Sequence, residues 1–355
     1  MNRPPLRAPG DGFVSSFPDS YFDAILVVSF GGPEGMDDVI PFLENVTRGR
    51  NVPRERLEEV AHHYELFGGV SPINELNRSL IAALRDELDT HGVELPIYFG
   101  NRNWHPFLTD TLSEMGEAGV ERALAFFTSG YSSYSGCRQY REDICNAQQA
   151  VGPRAPEVLR TRAFFNHPGW IETNSDHVRE ALARVPSGRD AHLAFTAHSI
   201  PVAMARACRY EDQLRETARL VAEAVGAVDT ALVYQSRSGP SQVPWLEPDI
   251  LDHLDALATR GVTDVVVVPI GFVSDHLEVL YDLDLEARER AADLGLGFVR
   301  ASSAGTHPAF VAMIRELFEE RLGVSDRRRA VGRYAASHDV CPVDCCLPQD
   351  ARRGA

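Results

Sequence analysis

Two short segments of this chain hold side chains able to move protons or bind a metal. One is Gly271-Phe-Val-Ser-Asp-His-Leu-Glu278, continued as Val-Leu-Tyr-Asp-Leu-Asp-Leu-Glu286; the other is His198-Ser-Ile-Pro201. A regular helix from Asp275 would place Glu278, Asp282 and Glu286 at i, i+4 and i+8 along one face. Like charges so spaced repel by about a few tenths of a kcal/mol each, so the row is favoured only with a cation or proton traffic; a solvated helix face is the alternative. His198 ends an apolar run and is fixed by a nearby proline, a better setting for a base or ligand than a helix face; the alternative is a structural histidine. An imidazole and a carboxylate converging from two strand ends make an acid/base or metal site. A third group, Cys341-Pro-Val-Asp-Cys-Cys346, has the crowding of a metal site. Neither Gly-x-Ser-x-Gly nor His-Glu-x-x-His occurs, so hydrolase and zinc-protease chemistry lack their motifs.

These groups need strands to carry them. Apolar, β-branched runs predict strands at 24–29, 95–99 and 123–127. A second series is predicted at 158–164, 192–197, 231–235, 265–270 and 297–300, with helices between. The helix at 210–225 is the clearest of these, with Leu214, Ala218, Val221 and Val225 on one side. Alternating β and α over both halves predicts an α/β protein with two doubly wound parallel sheets. His198 and Glu278 then follow strand carboxyl ends, where ligands bind in open sheets. The expected division is a disordered lead over 1–20, domains over 21–160 and 161–325, and a cysteine-bearing tail over 326–355.

Composition narrows the chemistry. The 355 residues are 44% hydrophobic and 24% charged, ordinary for a globular protein. A formal charge of −16 without a basic block argues against nucleic acid as a partner. All 35 basic residues counted as Lys or Arg are arginine, which removes Schiff-base and P-loop lysine chemistry. No apolar run approaches the roughly 20 residues that span a bilayer, and the amino terminus lacks a signal-peptide core. A cytoplasmic protein with reduced cysteines is expected.

Five strings in fixed order carry a family resemblance. They are Phe30-Gly-Gly-Pro33, Gly68-Gly-Val-Ser-Pro72, Ala197-His-Ser-Ile-Pro201, Tyr234-Gln-Ser-Arg-Ser-Gly-Pro240 with Pro244-Trp-Leu246, and Phe272-Val-Ser-Asp-His-Leu-Glu278. From about residue 24 to the final helix the chain resembles ferrochelatase. The resemblance implies insertion of Fe²⁺ into a porphyrin, releasing two protons, in a cleft between two Rossmann-like domains with four-stranded sheets. Carried over by position, His198 and Glu278 correspond to the family's essential pair, taking protons or binding the incoming Fe²⁺; which does which stays open. Glu278, Asp282 and Glu286 then become a route for cations in or protons out. Asp275 and His276 would set the geometry from behind.

The interval from Glu44 to Phe67 is short and rich in Arg and Glu. Ferrochelatases acting on membrane-partitioned protoporphyrin often carry an apolar lip there. A polar lip resembles the coproporphyrin III ferrochelatases of actinobacterial type, whose substrate has four propionates. By that similarity Arg48, His63, Tyr64, Ser71 and Tyr140 are expected to hold substrate, with Arg50 and Arg102 as further candidates. A coproheme decarboxylase is the implied downstream partner. Protoporphyrin IX as substrate, a cobalt chelatase, and a non-catalytic tetrapyrrole carrier that reports iron are the alternatives. Phe30 departs from those coproporphyrin enzymes that place there a tyrosine ligand to product iron, which leaves ligation to another group such as His198. The tail resembles an extension that holds a 2Fe–2S cluster through Cys341, Cys345 and Cys346. Cys137 is the expected fourth ligand, Cys145 the reserve, and Cys208 has no part. A zinc site or an incidental cysteine-rich tail is the other reading.

Overall fold

The computed structural model describes residues 21–49, 52–186, 190–239 and 242–348. The expected lead over 1–20 and the candidate Arg50 lie outside the described residues. Among the described residues, eight strands form two parallel sheets. The first contains β1 (Ala24–Ser29), β2 (Ile97–Asn101), β3 (Arg122–Phe127) and β4 (Glu157–Arg160) in the order β2-β1-β3-β4. The second contains β5 (Ala191–His198), β6 (Thr230–Gln235), β7 (Asp264–Val268) and β8 (Gly297–Arg300) in the order β6-β5-β7-β8. β1, β3 and β7 are buried at every position, as continuous apolar runs covered on both faces must be.

Both sheets reverse direction at the same place. The chain leaves the first strand of each sheet toward one side and returns on the other, which opens a crevice at the carboxyl ends of β1 and β3 and of β5 and β7. β4 does not open the second series, as the run at 158–164 suggested. It pairs with β3 through Leu124 and Leu159, so it closes the first sheet, and it stops at Arg160. Ala163, Phe164 and Phe165 beyond it are buried because the chain there crosses into the shared interior.

The two halves exchange helices. Helix Pro168–Leu182, which follows the first sheet, packs against β7, β8 and helix Tyr210–Val225 of the second. Helix Pro308–Leu322, which follows the second sheet, packs against β3 and helix Ile73–Thr90 of the first. Each begins His-Pro, and the Nδ1 of His167 or His307 accepts the N–H two residues on, at 3.2 Å. One apolar core therefore runs through both halves, from Ile25 and Phe126 through Trp170 and Phe310 to Phe195. Trp170 Nε1 donates to Tyr131 Oη at 3.2 Å, and that hydroxyl donates to the Ile270 carbonyl at 2.9 Å. Ser132 and Gln213 exchange a second pair of hydrogen bonds beside it. The sheets are thus held in register where they meet, which fixes the width of the gap between their carboxyl ends. Among the described residues, no helix is long and apolar enough to cross a membrane.

Candidate active site and tail thiol group

Where the two crevices face each other lies a cleft of about 520 Å³. Its wall is drawn from the loops after β1, β3, β5 and β7. Two glycines allow these loops to approach. A Cβ at Gly271 would stand 2.7 Å from Ala197 Cα, so only glycine lets the exit of β7 lie against the end of β5; its N–H donates to the Thr196 carbonyl at 3.0 Å. A Cβ at Gly32 would stand 2.6 Å from Ser71 Cβ, which joins the two glycine loops of the first half.

His198, the last residue of β5, and Glu278 face each other in this cleft, Nε2 to Oε2 at 3.6 Å. His198 Nδ1 lies 2.5 Å from the Ser199 carbonyl, which can only accept; Nδ1 therefore carries the hydrogen. In the neutral ring, Nε2 is left as a lone pair aimed at a carboxylate. Two acceptors at that distance call for a proton or a cation between them. An ion with bonds of about 2.1 Å to both atoms would subtend about 120° between them, an ordinary coordination angle. Tyr210 Oη donates to the His198 carbonyl at 3.0 Å and holds the strand end in place. Tyr64 is buried, and its hydroxyl stays protonated because of burial and the nearby Glu278 charge. Burial likewise pushes the His276 imidazole below its ordinary value, so it stands neutral in the cleft wall beside the pair.

The carboxylate row does not stand on a regular α-helix. After one turn at Leu277–Val279 the backbone is π-helical over Leu280–Ala287, a wider winding frequent at functional sites. Val279, Leu283 and Ala287 turn inward, while Glu278, Asp282 and Glu286, each one residue earlier, turn toward the open side. The spacing that predicts a row is compatible with either winding, so the π form was invisible to it. Asp282 lines both the main cleft and a second cavity of about 240 Å³, whose wall includes Glu286 and Asp249. Burial raises the Asp282 carboxyl to about 7, against the hydrogen bonds it accepts from Ser236 and Gln235. Ser236 adopts a left-handed backbone at φ 59°, a strain accepted at the end of β6 to deliver that hydroxyl.

A raised carboxyl has a stability signature. The contribution of Asp282 is present below its usual pKa of 3.8 and is lost as pH climbs through about 7. Asp282→Asn is expected to gain stability over the parent at about pH 8 and to show less gain at about pH 5, read by urea unfolding. An equal difference at both pH values would remove the buried-acid assignment.

Asp275 does not enter the cleft wall. Arg300, at the end of β8, grips it by two bonds of 3.0 and 3.2 Å and grips Asp284 by two of 2.8 Å. That clamp ties together the two flanks of the segment bearing Glu278. The sequence reading missed Arg300; a lone arginine closing a strand gives no motif, only its position at a carboxyl end. Of the expected substrate contacts, His63, Tyr64, Ser71 and Tyr140 line the cleft. The His63 ring stacks on Tyr281 with centroids 3.8 Å apart. Arg102 also lines it, its guanidinium 4.4 Å above Tyr140 and paired with Asp143 at 2.6 Å. Arg48 is exposed on the turn after helix Met36–Val46 and is not part of the wall. Phe30 is in the wall, its ring 5.7 Å from the same guanidinium.

Where the tail meets the turn at Tyr134–Arg138, four thiols come together. Cys137, in a π-helical turn at Tyr134–Arg138, contacts Cys341; Cys341 contacts Cys345; and Cys345 Sγ lies 3.6 Å from Cys346 Sγ. Neighbouring side chains ordinarily diverge, and the left-handed backbone of Cys346, φ 54°, turns both inward. Bonds of about 2.3 Å to one tetrahedral metal ask for sulfurs about 3.8 Å apart, so Cys345 and Cys346 fit one ion. Hydrogen bonds from Cys137 and Cys345, with the Arg160 and Arg141 charges, hold Cys341 well below the ordinary thiol range. Arg160 Nη2 donates to Cys341 Sγ at 3.0 Å, while Arg160 Nε and Arg141 Nη1 are buried without a partner among the described residues. Spare buried donors around clustered thiolates suit an anionic iron–sulfur group with its own sulfides. Cys145 is half-buried with its sulfur 3.7 Å from Gln149 Nε2, whereas Cys208 donates to the Met204 carbonyl and feels the charge of Cys346.

Against known proteins, the ferrochelatase family model matches residues 22–322. A ferrochelatase of Rhodopirellula baltica is 57% identical over 92% of this chain and 93% of its own length. A coproporphyrin III ferrochelatase of Nocardia farcinica is 56% identical over 92% and 97%, and one of Streptomyces griseus is 51% identical over 94% and 96%. Among solved structures, the sirohydrochlorin chelatase SirB of Bacillus subtilis subspecies spizizenii, in complex with cobalt, superposes with a TM-score of 0.50 at 12% identity, over 86% of this chain and 97% of that one. That likeness concerns the fold alone. With a family match across both sheets and relatives more than half identical along nearly their whole length, this chain belongs to the ferrochelatase family.

Proposed function

We propose that the protein inserts Fe²⁺ into coproporphyrin III, giving coproheme and two protons. The observation that carries this is the facing pair of His198 and Glu278 in a cleft of about 520 Å³ walled by both halves of the chain. Metallation must strip two pyrrole N–H protons and seat a divalent ion, and it transfers no electron. The His198 Nε2 lone pair and the Glu278 carboxylate are the acceptors for those protons or the ligands of the entering ion. Asp282, half-protonated near neutral pH, can take a proton from Glu278 and pass it toward Glu286 and the second cavity. His63, Tyr64, Ser71 and Tyr140, with Arg102, offer hydrogen-bond donors and a charge to the propionates. The coproporphyrin reading draws support from the relatives that bear that name. Coproheme would then require decarboxylation by a separate enzyme.

Protoporphyrin IX is a second reading, favoured by the exposed Met36, Leu66 and Val70 near the lip. The test is anaerobic addition of Fe²⁺ to enzyme with either porphyrin. With coproporphyrin III the four free-base visible bands should collapse into a metalloporphyrin pattern, at about tenfold or more the rate on protoporphyrin IX, since propionate-binding groups left unpaired disfavour the poorer partner. Faster protoporphyrin turnover would reverse the substrate assignment. Shifted bands without turnover would leave only a carrier.

For the tail, we propose a 2Fe–2S cluster that Cys137, Cys341, Cys345 and Cys346 would hold. When bound, such a group supplies one-electron redox capacity. Arg160, Arg141 and Arg138 offset its negative charge. Arg138 also donates to the Val343 and Cys345 carbonyls, at 2.6 and 3.0 Å, and so fastens the tail to the turn bearing Cys137.

A further inference from the structure

The tail group has one more donor than a four-thiolate cluster uses. His338 lies three residues before Cys341, and a ring nitrogen of His338, Cys341 Sγ and Cys345 Sγ all fall within 4.8 Å of one another. Its place is built. Arg328 donates to the Ser337 carbonyl at 2.6 Å and pairs with Asp339, gripping the residues on either side of His338. Arg321 approaches Asp339 as well, at 3.8 Å. The imidazole is exposed, and it stands on the outer side of the group.

The thiols are not equivalent. Cys137, Cys341 and Cys346 are buried, whereas Cys345 is partly open to solvent. The outermost ligand position therefore has two claimants, the Cys345 thiolate and the His338 imidazole. Soft thiolate sites accept imidazole in place of sulfur without changing the tetrahedral preference of the metal, as the mixed Cys/His sets of zinc and iron–sulfur sites illustrate.

We propose that His338 is an alternative ligand of the tail metal site and binds at the outer position in place of Cys345, converting a four-thiolate centre into one of three thiolates and one imidazole. This rests on the cluster reading above. The exchange is of ligands only, with no change of iron oxidation state: one Fe–S bond is replaced by one Fe–N bond. Its use would be retention of the centre when the exposed thiolate is unavailable.

The test uses the full-length protein purified anaerobically, with iron and acid-labile sulfide measured and the reduced-state EPR recorded. The unaltered protein should carry iron and sulfide in equal amounts; their absence sinks the cluster reading itself. Cys345→Ala should keep a centre and gain nitrogen hyperfine coupling in pulsed EPR. His338→Ala should keep a centre without that coupling. The double variant Cys345→Ala with His338→Ala should lose about tenfold or more of its iron. If the unaltered protein is loaded while Cys345→Ala is as empty as the double variant, or retains a centre lacking nitrogen coupling, His338 is not a ligand. Far-UV circular dichroism and porphyrin binding on each variant identify one that has merely failed to fold, and rescue of an empty Cys345→Ala by Cys345→His would show that the position accepts a nitrogen that His338 does not supply, overturning the proposal for His338.

Discussion

His198→Ala should lower the rate of iron insertion by about a hundred- to ten-thousand-fold, with coproporphyrin III still bound. Removing the imidazole takes away the ring nitrogen that faces Glu278 at 3.6 Å, while the wall residues that would touch propionates remain. Stopped-flow metallation under anaerobic conditions gives the rate, and the shift of the porphyrin Soret band on titration gives the binding. A variant that turns over near the parental rate would remove His198 from the reaction. A variant that loses porphyrin binding and rate together would make it a substrate contact. Arg300 sharpens the comparison. Its bonds to Asp275 and Asp284 brace the segment carrying Glu278 and Asp282 without touching the cleft, so its loss should act on the rate through that segment.

With the proposed 2Fe–2S cluster in the tail, Cys137→Ser should erase that cluster's visible absorption and reduced-state EPR signal. Cys137 is buried and contacts Cys341, which places it to serve as the fourth ligand beside Cys345 and Cys346 in that proposal. A serine oxygen is a harder and much less acidic donor than a thiolate and is poorly matched to iron–sulfur chemistry. Retention of both signals would transfer the fourth position to Cys208 or Cys145, the first being the nearer of the two to Cys346. The same turn places Ser135 and Gly136 on the cleft wall, with Cys137 and Arg138 toward the tail. Porphyrin affinity measured on Cys137→Ser therefore also reads whether the wall depends on the tail.

What the amino-acid sequence determined by itself was local. Continuous apolar runs marked the strands to within a few residues, because a strand covered on both faces must be apolar throughout. Their alternation with helices required parallel sheets, and His198 and Glu278 were legible as strand-end residues. The crowding of Cys341, Cys345 and Cys346 was equally plain. Tertiary structure decided everything that depends on residues distant in the chain. It assigned β4 to the first sheet, exchanged the two His-Pro helices, and wound the carboxylate row into a π-helix. It also raised Asp282 by burial and set Arg300, Arg160 and His338 beside their partners. The physical reason is one of range. Hydrophobic period and turn chemistry are written in neighbouring residues, whereas a distance, a desolvation or a shared proton is a sum over groups that meet only once the chain has folded.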